Sequence, residues 1–351
     1  MTSIERELYR IDHLPIFQNR MYDSALDGIN CVRGHMRLVQ NEGTGLIYNR
    51  AFQPEVMVYD SNYQNEQACS AEFRNHLENV VQIISQTFGD ISILEVGCGK
   101  GYFLEMLQSC GYDVVGFDPT YEGSNSSVYK TYFSKDAGIS REGIILRHVL
   151  EHIENPVKFL NFLKESNGGS GLIYIEVPCF DWIISHKAWF DIFYEHVNYF
   201  RTSDFHHMFD GVLEIGHIFG GQYIYVVADI STLREPVANP TDLVELPSDF
   251  TSGINRSTES SKVAIWGGAS KGTIFSFYRN LTKKPVDIVI DINPAKQGKY
   301  LAGTGLKVLS PEDGIKLLDP GSTIYVMNSN YIEEIRNQTK NNFSLIGVDN
   351  E

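Results

Sequence analysis

No run in the 351-residue chain approaches the roughly 18 uninterrupted apolar residues that a membrane-spanning helix needs. The opening stretch Met1–Glu7 has no basic start followed by an apolar run, so it reads as no secretory signal. Cysteine is scarce: five residues, at 31, 69, 98, 110 and 179, odd in number and with no C-x-x-C pair. That excludes a disulfide framework and a cysteine-rich zinc site, and it reads as reduced thiols in a cytoplasmic protein. Basic residues are outnumbered, 29 Lys and Arg against 44 Asp and Glu, for a net charge of −15. General nucleic-acid binding, which draws on cations facing phosphates, is therefore not expected. Apolar residues are not lacking; at 42% they suffice for real cores.

Four segments can be told apart: an N-terminal lobe over 1–70, an α/β domain over 71–235, a Pro- and Ser-rich linker over 236–261, and a smaller α/β unit over 262–351. Phe73, Leu77, Val80, Val81 and Ile84 recur at three-to-four spacing and predict a helix over 71–88. Short apolar runs then alternate with helical segments, the pattern of a parallel sheet. The strands expected are 91–96, 113–117, 143–146, 172–177, 213–218 and 223–228, the last two joined across Gly220-Gly221 as a hairpin. In the C-terminal unit they are 263–266, 286–290, 323–327 and 344–348.

The segment Ile93-Leu94-Glu95-Val96-Gly97-Cys98-Gly99-Lys100-Gly101 is a strand running into a glycine turn, with a helix after it. Glycines allow the tight bend and close approach of a ligand to the backbone. Asp118 follows at the tip of the next strand, where a carboxylate can take both hydroxyls of a ribose. Tyr102 stands where a dinucleotide fingerprint wants glycine or alanine. Glu95 beside the loop suits a cationic ligand better than a pyrophosphate. A NAD-type or structural turn is the alternative. Further on, His148 and His152 flank Glu151. Tyr194-Glu195-His196 sits in an aromatic run, where burial can shift pKa values toward acid–base work. A buried, satisfied Glu–His pair is the equal alternative.

These motifs resemble the class I S-adenosylmethionine-dependent methyltransferases and, through Tyr-Glu-His-x-x-Tyr-Phe at 194–200, the sugar C-methyltransferase family. The resemblance implies a Rossmann-like seven-stranded sheet, a second Rossmann-like domain and a short N-terminal lobe. It implies S-adenosylmethionine as cofactor, held by Glu95, Gly97, Cys98, Gly99, Gly101, Asp118 and Pro119, with Asp136 near the adenine and His148 and Leu150 bordering the site. It implies His196 as general base, assisted by Glu195 and Tyr194, and an active-site tyrosine: Tyr63, or else Tyr59. The acceptor would be a small molecule, such as a nucleotide-linked keto-deoxysugar methylated beside its carbonyl. O- or N-methylation, or a NAD(P)-type protein using the second glycine turn, Gly267–Gly272 with Asp291, are the alternatives. Lys271, Lys296 and Lys299 form a local basic strip able to attract a diphosphate. The family's cysteine-paired zinc module is reduced here to Cys31 near His35, so no metal is expected. Monomer and homo-oligomer both stay open.

Overall fold

The computed structural model describes residues 4–57, 63–64, 66–255 and 262–349. Tyr59 lies outside the described residues. The N-terminal lobe is an antiparallel sheet of β1 (Glu5–Pro15), β2 (Arg33–Asn41) and β3 (Ile47–Asn49). Its fourth strand is lent by the next domain: Asn198–Tyr199 pairs with Ile47 and Tyr48.

Helix α1 (Ala71–Phe88) follows, with the span that its periodicity predicts. Ser70 caps it by accepting a hydrogen bond from the Phe73 N–H. Its inward face is Phe73, His76, Leu77, Val80, Ile84 and Phe88. The central sheet is built from β4 (Ile93–Val96), β5 (Val114–Phe117), β6 (Val128–Tyr129), β7 (Gly143–Arg147), β8 (Leu172–Pro178), β9 (Val212–Ile218) and β10 (Tyr223–Asp229). The order across it is β9-β10-β8-β7-β4-β5-β6, with β10 antiparallel to β8 and β9 antiparallel to β10. The inner strands are buried on both faces, which is why they read as continuous apolar runs. The order reverses beside β4, so β4 and its neighbours open a crevice at their C-terminal ends.

The C-terminal domain is a second, all-parallel sheet: β11 (Ala264–Trp266), β12 (Ile288–Ile290), β13 (Val308–Leu309), β14 (Thr323–Val326) and β15 (Ser344–Gly347), in the order β13-β12-β11-β14-β15. Its helix α2 (Ser270–Leu281) leaves the glycine turn after β11. The three parts are sewn together. Tyr22 and Tyr300 exchange backbone hydrogen bonds, and Gly303 N–H donates to the Gly28 carbonyl at 2.8 Å. Gly305 has φ +66, and a Cβ there would lie 2.4 Å from the Ala25 carbonyl oxygen, so this contact needs glycine. Among the described residues no helix is long and apolar enough to cross a membrane.

Candidate active site

Where β4 ends, Gly97, Gly99 and Gly101 all take positive φ, at 76, 56 and 80°. A Cβ at Gly97 would stand 2.4 Å from a Val149 methyl, whereas one at Gly99 would meet nothing within 4 Å. The first glycine is thus required by packing, and the second leaves open space. Asp118 closes the turn. Its Oδ2 accepts from the Gly99 N–H at 2.8 Å, and its Oδ1 accepts from the Thr120 N–H and hydroxyl. Glu95 is 3% exposed and its Oε2 has no hydrogen-bond partner among the described residues. Burial lifts its carboxyl to about 7; Arg147 opposes that rise and Asp118 adds to it.

The loop after β7 carries His148 at φ 52°, an unusual conformation for a non-glycine residue. Its ring is held between two carboxylates. Nδ1 lies 3.3 Å from Glu151 Oε1, and Nε2 lies 3.0 Å from Glu176 Oε1. Burial alone would lower its pKa, but the bonds to Glu151 and Glu176 outweigh it and hold the imidazole at about 9. Glu176, fully buried on β8, also receives Arg147, His76 and the Tyr174 hydroxyl. Burial would raise this carboxyl, yet Arg147 and the histidines hold it well below the usual range. Sequence reasoning passed over Glu176; a lone acid inside the apolar run Ile173–Val177 was the available signal.

His196 is 8% exposed, its Nδ1 has no partner among the described residues, and its ring lies tilted at 40° to Phe193 with centroids 3.9 Å apart. Burial, together with His152, His148 and Lys271, holds it well below an ordinary imidazole, so it is neutral. Its neighbours in the motif turn elsewhere. Glu195 accepts from the Gln18 N–H at 2.5 Å, the Asn19 N–H at 3.1 Å, the Asn19 amide at 3.1 Å and the Tyr63 hydroxyl at 3.0 Å. It therefore anchors the N-terminal lobe and Tyr63. Tyr194 is fully buried against Phe52, and its hydroxyl accepts from the Gln53 N–H. The expectation that Tyr194 assists proton transfer is corrected here: its side chain fills the lobe interface beneath Gly34.

One cleft of about 1130 Å³ gathers these groups. Glu95, Gly97, Cys98, Gly99, Asp118, Pro119, His148, Tyr63 and His196 line it. Glu195, Tyr194, Gly101, Leu150 and Asp136 are not among its lining residues. Leu150 is fully buried in the core, and Asp136 is exposed on the short turn Lys135–Ala137, which follows the lining residue Phe133. Tyr121 packs over Gly101 instead. The opposite wall comes from the second glycine turn, with Trp266, Gly267, Ser270 and Lys271. That turn repeats the first in detail, since Asp291 Oδ2 accepts from the Gly268 N–H at 2.8 Å. The basic strip is already neutralised: Lys271 pairs with Asp191 at 3.0 Å, Lys296 with Asp291 at 3.5 Å, and Lys299 with Asp23. Cys31 is a lone buried thiol. Among the described residues the side chains spaced to share a metal ion are Glu151, His152 and His196.

Residues 71–212 match a family described as "Methyltransferase domain", and 248–347 one described as "C-methyltransferase C-terminal domain". The second match begins inside the stretch read as linker. A curated relative, the C-methyltransferase NovU of Streptomyces niveus, is 23% identical over 306 residues, covering 74% of this chain and 72% of its own. Among solved structures, the PH0226 protein of Pyrococcus horikoshii OT3 is 12% identical with a TM-score of 0.37, covering 49% of this chain and 99% of its own. The plantazolicin methyltransferase BpumL in complex with SAH is 18% identical with a TM-score of 0.37, covering 50% and 88%.

The residues at the first glycine turn suit S-adenosylmethionine. The partnerless Glu95 Oε2, lifted to about 7, is matched to a cation, and the open face of Gly99 beside Asp118 leaves room for a nucleoside.

Proposed function

We propose, for a chain that belongs to the S-adenosylmethionine-dependent methyltransferases and carries the C-methyltransferase C-terminal domain, that it methylates the carbon beside a carbonyl in a nucleotide-linked keto-deoxysugar or a closely related small metabolite. S-adenosylmethionine, when bound, supplies a methyl group made electrophilic by its positively charged sulfur. Gly97, Cys98 and Gly99 would hold its amino-acid end, with Glu95 answering the positive charge and Asp118 the ribose hydroxyls.

A carbon nucleophile must first lose a proton, so the protein needs a neutral base in a dry place. His196 meets that need. It is uncharged because it is buried, and it lines the same cleft as the glycine turn. This juxtaposition carries the reading. Tyr63 lines the cleft too, and would donate to the enolate oxygen by releasing Glu195, whose Oε2 keeps the Asn19 amide. The size of the cleft, and its second glycine turn, support an acceptor with a nucleotide portion. Alignment of the two reactants would be the main contribution, worth about 7–11 kcal/mol where geometry is favourable.

The test is His196→Ala. The variant is expected to bind S-adenosylhomocysteine as the parent does, in calorimetry, and to lose turnover by about 10²–10⁴-fold. Undiminished turnover would remove His196 from the reaction.

A further inference from the structure

Resting on His196 as the base, we infer that Glu151, not its sequence neighbour Glu195, is the carboxylate that fixes the His196 tautomer and balances the charge formed there. Four donors already converge on Glu195, and it does not line the cleft. Glu151 is 1% exposed, lines the cleft, and uses only Oε1, toward His148. Among the described residues its Oε2 has no partner, and neither has His196 Nδ1. A carboxylate oxygen of Glu151 and one ring nitrogen each of His152 and His196 lie within 4.8 Å of one another.

The two backbone segments that carry these side chains are locked together. Val197 N–H donates to the Glu151 carbonyl at 2.8 Å, the Asn198 amide donates to the Ile153 carbonyl at 2.5 Å, and His152 Nδ1 donates to the Glu195 carbonyl at 2.7 Å. A side-chain rotation, without backbone movement, would close Glu151 Oε2 on His196 Nδ1. The Nδ1–H tautomer then leaves Nε2 bare as the acceptor of a proton. In the step itself the C–H bond of the acceptor breaks and its proton forms an N–H bond at Nε2. The electron pair moves into the carbonyl as an enolate. The imidazole becomes cationic, near His152, Lys271 and the protonated His148 on the elements packed round it. Two buried orphans of opposite polarity are otherwise costly; as donor and acceptor to one another they are satisfied.

The test needs no acceptor molecule. In the full-length protein with histidines labelled at the ring nitrogens, the His196 signals are identified by their loss in His196→Gln. The parent is expected to show the Nδ1–H tautomer. In Glu151→Gln, the amide oxygen stays on the protonated His148 and its NH₂ faces Nδ1, so the Nδ1–H form is expected to give way to Nε2–H. Glu151→Asp should keep the parental form, and Glu151→Ala serves if the Gln variant does not fold. A parental Nε2–H tautomer would overturn the inference. So would a tautomer that follows His152→Asn but not Glu151→Gln or Glu151→Ala, or a stoichiometric zinc ion on these three side chains in the purified protein. Unchanged turnover in His196→Ala would instead overturn the reading of His196 as base, whatever the tautomer.

Discussion

Glu95 and His196 lie in one cleft and are both buried, yet burial moves them in opposite directions, since it penalises the charged form of each. The acid rises and the imidazole falls, leaving in one cleft the carboxyl and the neutral imidazole that the proposed reaction assigns to a cation and to a carbon acid. The pH consequence for Glu95 follows directly. Its ligand-free carboxyl titrates at about 7, and a cationic ligand beside it favours the ionised form, so binding expels a proton at acidic pH. S-adenosylhomocysteine, which keeps the amino-acid head, should bind more tightly as pH rises from 6 through about 7. Calorimetry at both ends should show that Glu95→Gln flattens this dependence. An affinity independent of pH in the parent would mean that Glu95 does not face the ligand. Much at this scale was legible beforehand, because Glu95 and Asp118 stand at fixed offsets from a glycine turn. What was illegible was the division of labour between the carboxylates at 151 and 195. It depends on Gln18 and Asn19, more than a hundred residues away, which claim one and leave the other. Tyr194 departs from expectation for the same reason: adjacency in a motif does not say which way a side chain points.

The strands of the central sheet and of the parallel C-terminal sheet follow from apolar runs bounded by glycine and polar turns, and the observed strands fall on the expected ones with ends shifted by a residue or two. The two-residue strands Val128–Tyr129 and Val308–Leu309 leave no periodicity to read, and the N-terminal sheet is completed by Asn198–Tyr199, a pairing no local pattern announces. The glycine turn is the element on which the site depends. Gly97→Ala must force a side chain into φ +76° and a Cβ into Val149. Left-handed strain of about 1–2 kcal/mol and overpacking of about 1–3 kcal/mol should together lower stability by about 2–5 kcal/mol. Urea unfolding would measure it, and S-adenosylhomocysteine affinity should fall with it. An alanine tolerated within 0.5 kcal/mol or so would show that the loop relaxes freely.

Across the whole molecule, the cleft exists because three parts close on it. The N-terminal lobe is held by Glu195, the C-terminal wall by Lys271 on Asp191 and Gln222, and α1 by Glu334, which receives the Ser70 hydroxyl at 2.6 Å. Glu195→Gln places an NH₂ group among four donors and should cost about 1–3 kcal/mol. Hydrogen exchange should quicken at residues 16–20 while β4 and β7 keep their protection; uniform exchange across the chain would assign Glu195 to global stability alone. The pairing of Lys271, Lys296 and Lys299 with acids also means that the C-terminal wall is far less cationic than the sequence suggests. Any diphosphate there must rely on backbone N–H groups of the second glycine turn more than on free lysines.

The central claim is that this cleft moves a methyl group onto a carbon activated by His196. The most direct measurement is the fate of the label when methyl-labelled S-adenosylmethionine is incubated with a nucleotide-linked keto-deoxysugar, followed by product NMR. A new methyl bonded to the carbon beside the carbonyl is expected, absent when His196→Ala replaces the parent enzyme. A label on oxygen or nitrogen, or one transferred equally well without His196, would contradict it.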